Sequence, residues 1–244
     1  MDSADLKALI ASDASELKFY VGSVPLEVVR IPPGNFEMGS PVDEPGHQEN
    51  ESPVRKIRIS RAFYLGRYEI TQAQFQAVMG VNPSSVRGDN LAADQITFSA
   101  ALEFCARLSK VIGVRVSLPT EAQWEYAARA ETASPFYSGR STVDLDKIAW
   151  YSKNSGGAIH PVGLKQPNAF GLYDMIGNVW ELCADFLGPY STIKDTDPAG
   201  ELNRRGGMRG GGWDSDPEDA RAARRLISDP MFGGSGIRVA IAPE

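Results

Sequence analysis

A glycine-rich motif near the end of the chain constrains the fold more than any other stretch. Residues 208–213 have the sequence Met-Arg-Gly-Gly-Gly-Trp, and a second short run that begins with glycine spans residues 236–240. The residues between these runs follow neither the period of a helix nor the alternation of a strand, and they mix acidic, basic, apolar and glycine residues. The pattern predicts a surface segment that is held at both ends by short strands.

Composition and charge narrow the class of protein. With 244 residues, the chain is long enough to bury a sizeable core, in one large domain or two small ones. Its net charge is −6 and it has no basic block, so neither nucleic acid nor a membrane surface is expected as a partner. The first residues do not resemble a signal peptide, and no apolar run approaches the ~20 residues that span a bilayer. The cytoplasm is therefore the expected location.

Cysteine and histidine are too few for most metal and disulfide chemistry. Cys105 and Cys183 are the only cysteines; each lies in an apolar stretch and is predicted to be a free buried thiol. His47 and His160 are the only histidines, which excludes a site built from several histidines.

Local patterns predict one α+β domain at residues 27–244, preceded by an N-terminal extension at residues 1–26 that holds a short helix and a strand. Strands are predicted at residues 26–31, 54–59, 62–70 and 114–118. Helices are predicted to begin at capping boxes that open with Thr71 and Thr120, and another helix is predicted near residues 98–110. No helix is predicted after residue 131.

Six motifs carry a resemblance to a known family. In chain order they lie at residues 31–40, 68–72, 118–129, 168–174, 177–181 and 209–213. Together they resemble the formylglycine-generating enzyme (sulfatase-modifying factor) family over residues 27–242. The resemblance implies a C-type-lectin-like α+β fold with little regular secondary structure, in which two main helices pack on small antiparallel sheets. Because one fold can host many activities, the resemblance defines the fold more closely than the function.

The copper chemistry of this family depends on two residues that the chain lacks. The enzymes of the family oxidise a substrate cysteine with molecular oxygen, and two active-site cysteines bind copper(I), which prefers thiolate ligands. Ser215 and Ala220 stand at the matching positions. The sulfoxide-synthase branch of the family uses three histidines to bind iron, more than this chain contains. We therefore expect neither copper nor iron, and we assign no catalytic residue.

The resemblance also implies a structural calcium ion. The matching ligands would be the side chains of Asp174 and Glu181 and the main-chain carbonyls of Gly177 and Val179. Oxygen ligands that include two carboxylates suit Ca²⁺. The alternative is that the two carboxylates only form hydrogen bonds within the turn.

Variable proteins of diversity-generating retroelements also resemble this chain. In those proteins a C-terminal stretch of the same fold is mutagenised at template adenines, so that asparagine codons become codons for residues such as Asp, Ser, Gly, Leu, Ile or Phe. Residues 214–216, 226–228 and 232–234 occupy such places. The resemblance therefore implies a display segment at residues 213–235 that binds a protein or small-molecule ligand. The predicted ligand-binding residues are Trp213, Asp214, Ser215, Asp216, Glu218, Asp219, Arg221, Leu226, Ile227, Ser228, Phe232, Gly233 and Gly234.

Two other functions are compatible with the sequence. The first is a metal-dependent oxidase, or a tailoring or maturation enzyme, of the same family with altered active-site chemistry. The second is an inactive relative that binds a partner protein as a structural module. Arg209 and Arg238 flank the display segment and are predicted to be salt-bridged framework residues under any of these functions.

Overall fold

A computed structural model describes residues 3–186, 188–200, 206–228 and 235–242 of the chain. These ranges contain five α-helices: α1 (Ser3–Ala11), α2 (Gln72–Met79), α3 (Phe98–Ile112), α4 (Glu121–Arg129) and α5 (Thr142–Ile148). Within the same ranges, no helix has the length and apolar character that would allow it to cross a membrane.

The described strands form three small sheets. They are β1 (Glu16–Val21), β2 (Val24–Ile31), β3 (Gly34–Met38), β4 (Arg55–Ile59), β5 (Phe63–Gly66), β6 (Val116–Ser117), β7 (Trp180–Leu182), β8 (Gly207–Arg209), β9 (Arg225–Ile227), β10 (Ser235–Ile237) and β11 (Ala240–Ile241). The strand orders are β1-β2-β5-β11-β6, β10-β7-β8-β9 and β3-β4. Pairing between these strands is antiparallel except where β10 lies parallel to β7. The predicted α+β class is confirmed.

Local capping chemistry explains where the helices begin. Thr71 and Thr120 each accept a hydrogen bond from the third backbone N–H of the helix that follows, and a glutamine side chain completes both capping boxes, as predicted. The prediction of no helix after residue 131 is wrong, because Ser141 and Asp144 form another capping box that opens α5. This helix has only seven residues and buries only Leu145 and Ile148, so its apolar pattern is too short to recognise.

The N-terminal residues belong to the main sheet. The boundary predicted between residues 26 and 27 falls inside β2, and β1 pairs with β2 along its whole length. Leu6, Leu17 and Phe19 are each only 2% exposed and pack in the same apolar cluster as α3. Residues 1–26 are therefore not a separate extension, as far as they are described.

Candidate functional site

The glycine motif turns the chain sharply between β8 and the predicted display segment. Gly210 and Gly211 have φ angles of +94° and +79°, which residues with a Cβ rarely adopt. A Cβ on Gly211 would lie 3.0 Å from the Cα of Ala220, so a side chain at this position would also crowd Ala220. β8 leads into the segment and β10 begins at its last residue, while β9 lies within it and pairs with β8, with Met208 opposite Leu226. Short strands therefore frame the segment, as the sequence predicted.

A cavity of about 470 Å³ opens beside this segment. Six of the predicted ligand-binding residues line it: Trp213, Asp214, Ser215, Asp219, Leu226 and Ile227. A volume of this size suits a small molecule or a side chain of a bound protein. The structure thus brings these six residues around one concave surface.

Other parts of the chain, most of them distant from the segment in sequence, form the rest of the cavity wall. They supply Ser85, Val86, Asp94, Gln95, Gly157, Ala158, Ile159, Trp180, Met208, Gly212 and Ser235. The loop before α3 reaches the cavity because the Ile96 N–H donates to the Ser235 carbonyl at 3.0 Å. No local motif marks the loop residues Asp94 and Gln95 as part of a site, and the sequence interpretation missed them.

The other predicted ligand-binding residues that the structure describes do not line the cavity. Asp216 and Glu218 are exposed, and Asp216 accepts a hydrogen bond from the Ser152 hydroxyl at 3.1 Å. Ser228 is buried, and its N–H donates to the Gly206 carbonyl. The last three predictions, Phe232, Gly233 and Gly234, lie outside the described residues.

Arg221 is a buried framework residue. Its side chain donates to Glu44 and to both carboxylate oxygens of Glu51, at 2.7–2.9 Å, and to the Gly46 carbonyl. It is 1% exposed, so a ligand could reach it only if these contacts were broken. This burial corrects the prediction that Arg221 contacts a ligand.

Three further buried arginines form salt bridges within and beside the segment. Arg209 pairs with Glu121 and Glu125 on α4, at 3.0 and 2.9 Å. Arg225, on β9 within the segment, pairs with Glu121 at 2.6 Å, so α4 holds both β8 and β9. Arg238 pairs with Glu181 on β7 at 2.6 Å. The prediction that Arg209 and Arg238 are framework residues is confirmed.

The two positions that match the copper ligands are part of this framework. The Ser215 hydroxyl accepts a hydrogen bond from the Gly212 N–H at 2.9 Å, and Ala220 is fully buried against Gly211. The two cysteines are buried elsewhere, as predicted. Burial raises the pKa of Cys105 to about 12, and burial together with the nearby Glu121 charge raises that of Cys183, so both thiolates are disfavoured.

The predicted calcium ligands show a mixed fit. Asp174 is buried, and its Oδ1 has no hydrogen-bond partner among the described residues, whereas Oδ2 accepts from the Gly163 N–H. Both oxygens of Glu181 accept hydrogen bonds from Arg238, and Oε2 also accepts from the Trp124 indole N–H. Asp174 thus offers a free oxygen to a cation, but the Glu181 carboxylate is already neutralised. Among the residues that the structure describes, no group of three His, Cys, Asp or Glu side chains is arranged to hold a metal ion, so a calcium ion here would depend on Asp174 and main-chain carbonyls.

Buried negative charge surrounds this possible calcium position. Burial is the main cause that raises the pKa of Asp174, to about 6, and the Glu181 charge adds to it. Glu69, which accepts hydrogen bonds from the Asn178 amide and the Val179 N–H, also has a raised pKa because it is buried near Asp174 and Glu181. Three buried carboxylates therefore lie near one guanidinium, that of Arg238.

Comparisons with known proteins identify the family to which this fold belongs. The family described as "Sulfatase-modifying factor enzyme 1-like domain" matches residues 21–243, and the chain belongs to this family. A formylglycine-generating enzyme from Streptomyces coelicolor is 27% identical, over 87% of this chain and 88% of that protein. The fold is therefore the C-type-lectin-like fold of the formylglycine-generating-enzyme type.

Two solved structures are also similar over nearly their whole length. Variable protein 1 of Treponema denticola has a TM-score of 0.83 and 26% identity, and the match covers 93% of this chain and 99% of that one. PvdO from Pseudomonas aeruginosa has a TM-score of 0.82 and 30% identity, with 93% and 98% covered. The chain is thus similar both to a variable protein and to relatives of the formylglycine-generating enzymes.

Proposed function

We propose that this protein binds a ligand without catalysis, through a display segment at residues 213–235 of the type found in retroelement-diversified variable proteins. The ligand is a protein or a small molecule, and neither nucleic acid nor a membrane surface. The cavity beside the segment carries the proposal, because Trp213, Asp214, Ser215, Asp219, Leu226 and Ile227 line it together. A rigid frame with chemically mixed side chains in a concave surface is typical of a recognition site. A cytoplasmic location is part of the same proposal.

The chemistry of the positions that match the copper ligands supports a non-catalytic role. A serine hydroxyl that holds a turn and a buried methyl group offer no thiolate to copper(I). The similarity to variable protein 1 of Treponema denticola supports the display role in particular.

Ligand screening with a blocked cavity tests the binding function. Ile227 lines the cavity and is 50% exposed, so Ile227→Arg should obstruct the cavity without unfolding the protein. Val143 on α5 is 67% exposed and lies outside the cavity wall, which makes Val143→Arg a matched control. In ligand-detected NMR with a fragment library, we expect compounds that bind the wild type and Val143→Arg but not Ile227→Arg. Binding that survives in Ile227→Arg would place the ligand elsewhere.

An activity assay separates this proposal from the enzyme alternative. Oxygen uptake is measured with a cysteine-containing peptide, with copper(I) or iron(II) supplied. We expect no turnover; sustained, metal-dependent uptake would favour an oxidase of the same family with altered chemistry.

The neighbouring DNA tests the diversification itself. The proposal requires a near-repeat of the sequence that codes for residues 213–235 and an adjacent reverse transcriptase gene. If neither is present, the segment is not diversified in this way, although a fixed binding cavity would remain.

A further inference from the structure

Asp94 places a buried carboxylate on the wall of the cavity. The residue is 3% exposed, and its Oδ1 has no hydrogen-bond partner in the part of the chain that the structure describes. Its backbone is held in place, because its N–H donates to the Ser84 hydroxyl at 3.1 Å. Because Oδ1 is buried and unpartnered, the protein itself compensates this carboxylate poorly, and a polar group in the cavity beside it is expected to offset the deficit.

The charges on the cavity wall indicate whether that group is a cation or an anion. Asp214 and Asp219 line the cavity together with Asp94, and the described lining includes no lysine, arginine or histidine. Arg224 donates to Asp219 at 2.7 Å and offsets one of these charges, but it is not part of the lining. The wall therefore carries an excess of negative charge that favours a cation and repels an anion.

The remaining wall suits an organic cation. Trp180 and Trp213 contribute indole rings, whose faces attract cations, and Leu226 and Ile227 contribute apolar surface. A bare metal ion is less suitable, because the described residues contain no group of three Asp, Glu, His or Cys side chains that could hold one. The volume of about 470 Å³ also exceeds what an ion needs and matches a small molecule.

We propose that this cavity binds an organic cation, with an ammonium, amidinium or guanidinium N–H group that donates to Asp94 and an apolar body that packs on the indole rings. The group could belong to a small molecule or to a basic side chain of a protein, since the chemistry is the same. This inference rests on the proposed function, because it specifies the ligand class for the same cavity.

Four probes that differ mainly in charge test the ligand class. Benzylamine and benzamidine are cations, benzamide is neutral and benzoate is an anion. Each is titrated into the full chain, and binding is followed by NMR and by tryptophan fluorescence. We expect the two cations to bind at least tenfold more tightly than benzamide, with no detectable binding of benzoate, and added salt to weaken the binding of the cations. Equal affinity for benzamide and benzamidine would overturn the proposal.

Two matched variants locate the interaction. Asp94→Asn preserves the shape of the side chain and removes its charge, and we expect it to weaken binding of the cations at least tenfold while the melting temperature does not fall. Asp43→Asn makes the same substitution at an exposed carboxylate outside both the display segment and the cavity wall, and we expect no change. Unchanged cation binding in Asp94→Asn would overturn the assignment. If Asp94→Asn fails to fold, competition in the wild type between benzamidine and the fragments that Ile227→Arg excludes tests whether the cation binds in this cavity, and a lack of competition would overturn the assignment.

The outcomes separate this inference from the proposed function. Neutral fragments that bind in the cavity, together with cations that do not, would overturn the cation assignment and leave the binding function intact. If neither the four probes nor the wider library binds, both are overturned.

Discussion

Arg221 donates hydrogen bonds to both carboxylate oxygens of Glu51, a residue 170 positions earlier in the chain, at 2.8 and 2.9 Å. Both side chains are buried, and Glu44 also accepts from Arg221. This two-bond pairing fixes the orientation of the guanidinium as well as its position. It joins the predicted display segment to the acidic loop that follows β3, so part of the apparent display sequence serves as the frame of the site.

Loss of the Arg221 side chain is expected to be strongly destabilising. Arg221→Met leaves Glu51 and Glu44 buried without their cation, and we expect the free energy of unfolding to fall by about 3–5 kcal/mol. Arg224→Met is the control, because Arg224 pairs with Asp219, whose side chain is 43% exposed, and such pairs contribute about 0–1 kcal/mol. Urea denaturation of the two variants measures the difference, and similar losses would contradict a special role for Arg221.

The Glu51–Arg221 pair should also make stability depend on pH. Burial alone would raise the pKa of Glu51, but the hydrogen bonds and positive charge of Arg221, with a hydrogen bond from Ser40, outweigh it and lower that pKa. A carboxyl group whose pKa is lowered by folding stabilises the protein above its unfolded pKa of about 4.3. That stability is lost as the pH falls through the lower, folded value.

The measurement compares wild type with Glu51→Gln between pH 7 and pH 3. We expect the wild type to be more stable at neutral pH and its advantage to shrink below about pH 4, where Glu51 becomes protonated first in the unfolded chain. A difference in unfolding free energy that stays constant over this range would show that charge on Glu51 does not contribute.

The fold could be predicted to the extent that its signals are local. The hydrogen bonds of each capping box, at Thr71 and at Thr120, form within four consecutive residues. The local sequence therefore predicted the starts of α2 and α4. The glycine motif likewise predicted a short strand that leads into the segment, and the turn that follows it depends on the positive φ angles of Gly210 and Gly211.

The cavity could be predicted only in part because it depends on topology. The hydrogen bond between Ile96 and Ser235 holds the loop that carries Asp94 at the cavity. Ser235 is itself held there because β10 pairs in parallel with β7. Nothing near Asp94 in the sequence signals this contact. The burial of Arg221 escaped prediction likewise, because its partners lie in a distant polar loop and its own segment has no period that would mark an inward face.

The turn at Gly211 should be intolerant of any side chain. Gly211→Ala combines a left-handed backbone conformation with a contact of 3.0 Å to Ala220, and we expect a loss of about 2–4 kcal/mol. Gly156→Ala is the control, because its φ is +64° but no atom lies within 4 Å of the added Cβ. That variant should lose only the backbone contribution of about 1–2 kcal/mol. Thermal and urea unfolding test the comparison, and equal losses would mean that the contact with Ala220 relaxes.

Two substitutions should create copper(I) affinity at the positions that match the copper ligands of the family. We expect the wild type to bind no stoichiometric copper(I), whereas Ser215→Cys combined with Ala220→Cys should bind about one equivalent, because paired thiolates are preferred ligands. Each single variant is a control and should bind more weakly. Competition with a chromogenic copper(I) chelator measures the binding. One equivalent bound by the wild type would favour the enzyme alternative.

Calcium should stabilise the protein through Asp174. The free Oδ1 and the surplus of buried carboxylate charge favour a cation there, so we expect the melting temperature to rise with Ca²⁺, by the equivalent of about 2.7 kcal/mol at a concentration 100 times Kd.

Asp174→Asn removes the charge and keeps a residue that tolerates the φ of +53°. Without Ca²⁺ this variant should be as stable as wild type or more so, because a buried charge without a full set of partners is gone, and its response to Ca²⁺ should be smaller. Asp216→Asn, which removes an exposed carboxylate, is the control and should respond like the wild type. A wild-type melting temperature that is the same in Ca²⁺ and in EDTA would reject the calcium site and leave Asp174 as a buried carboxyl group whose pKa is raised to about 6.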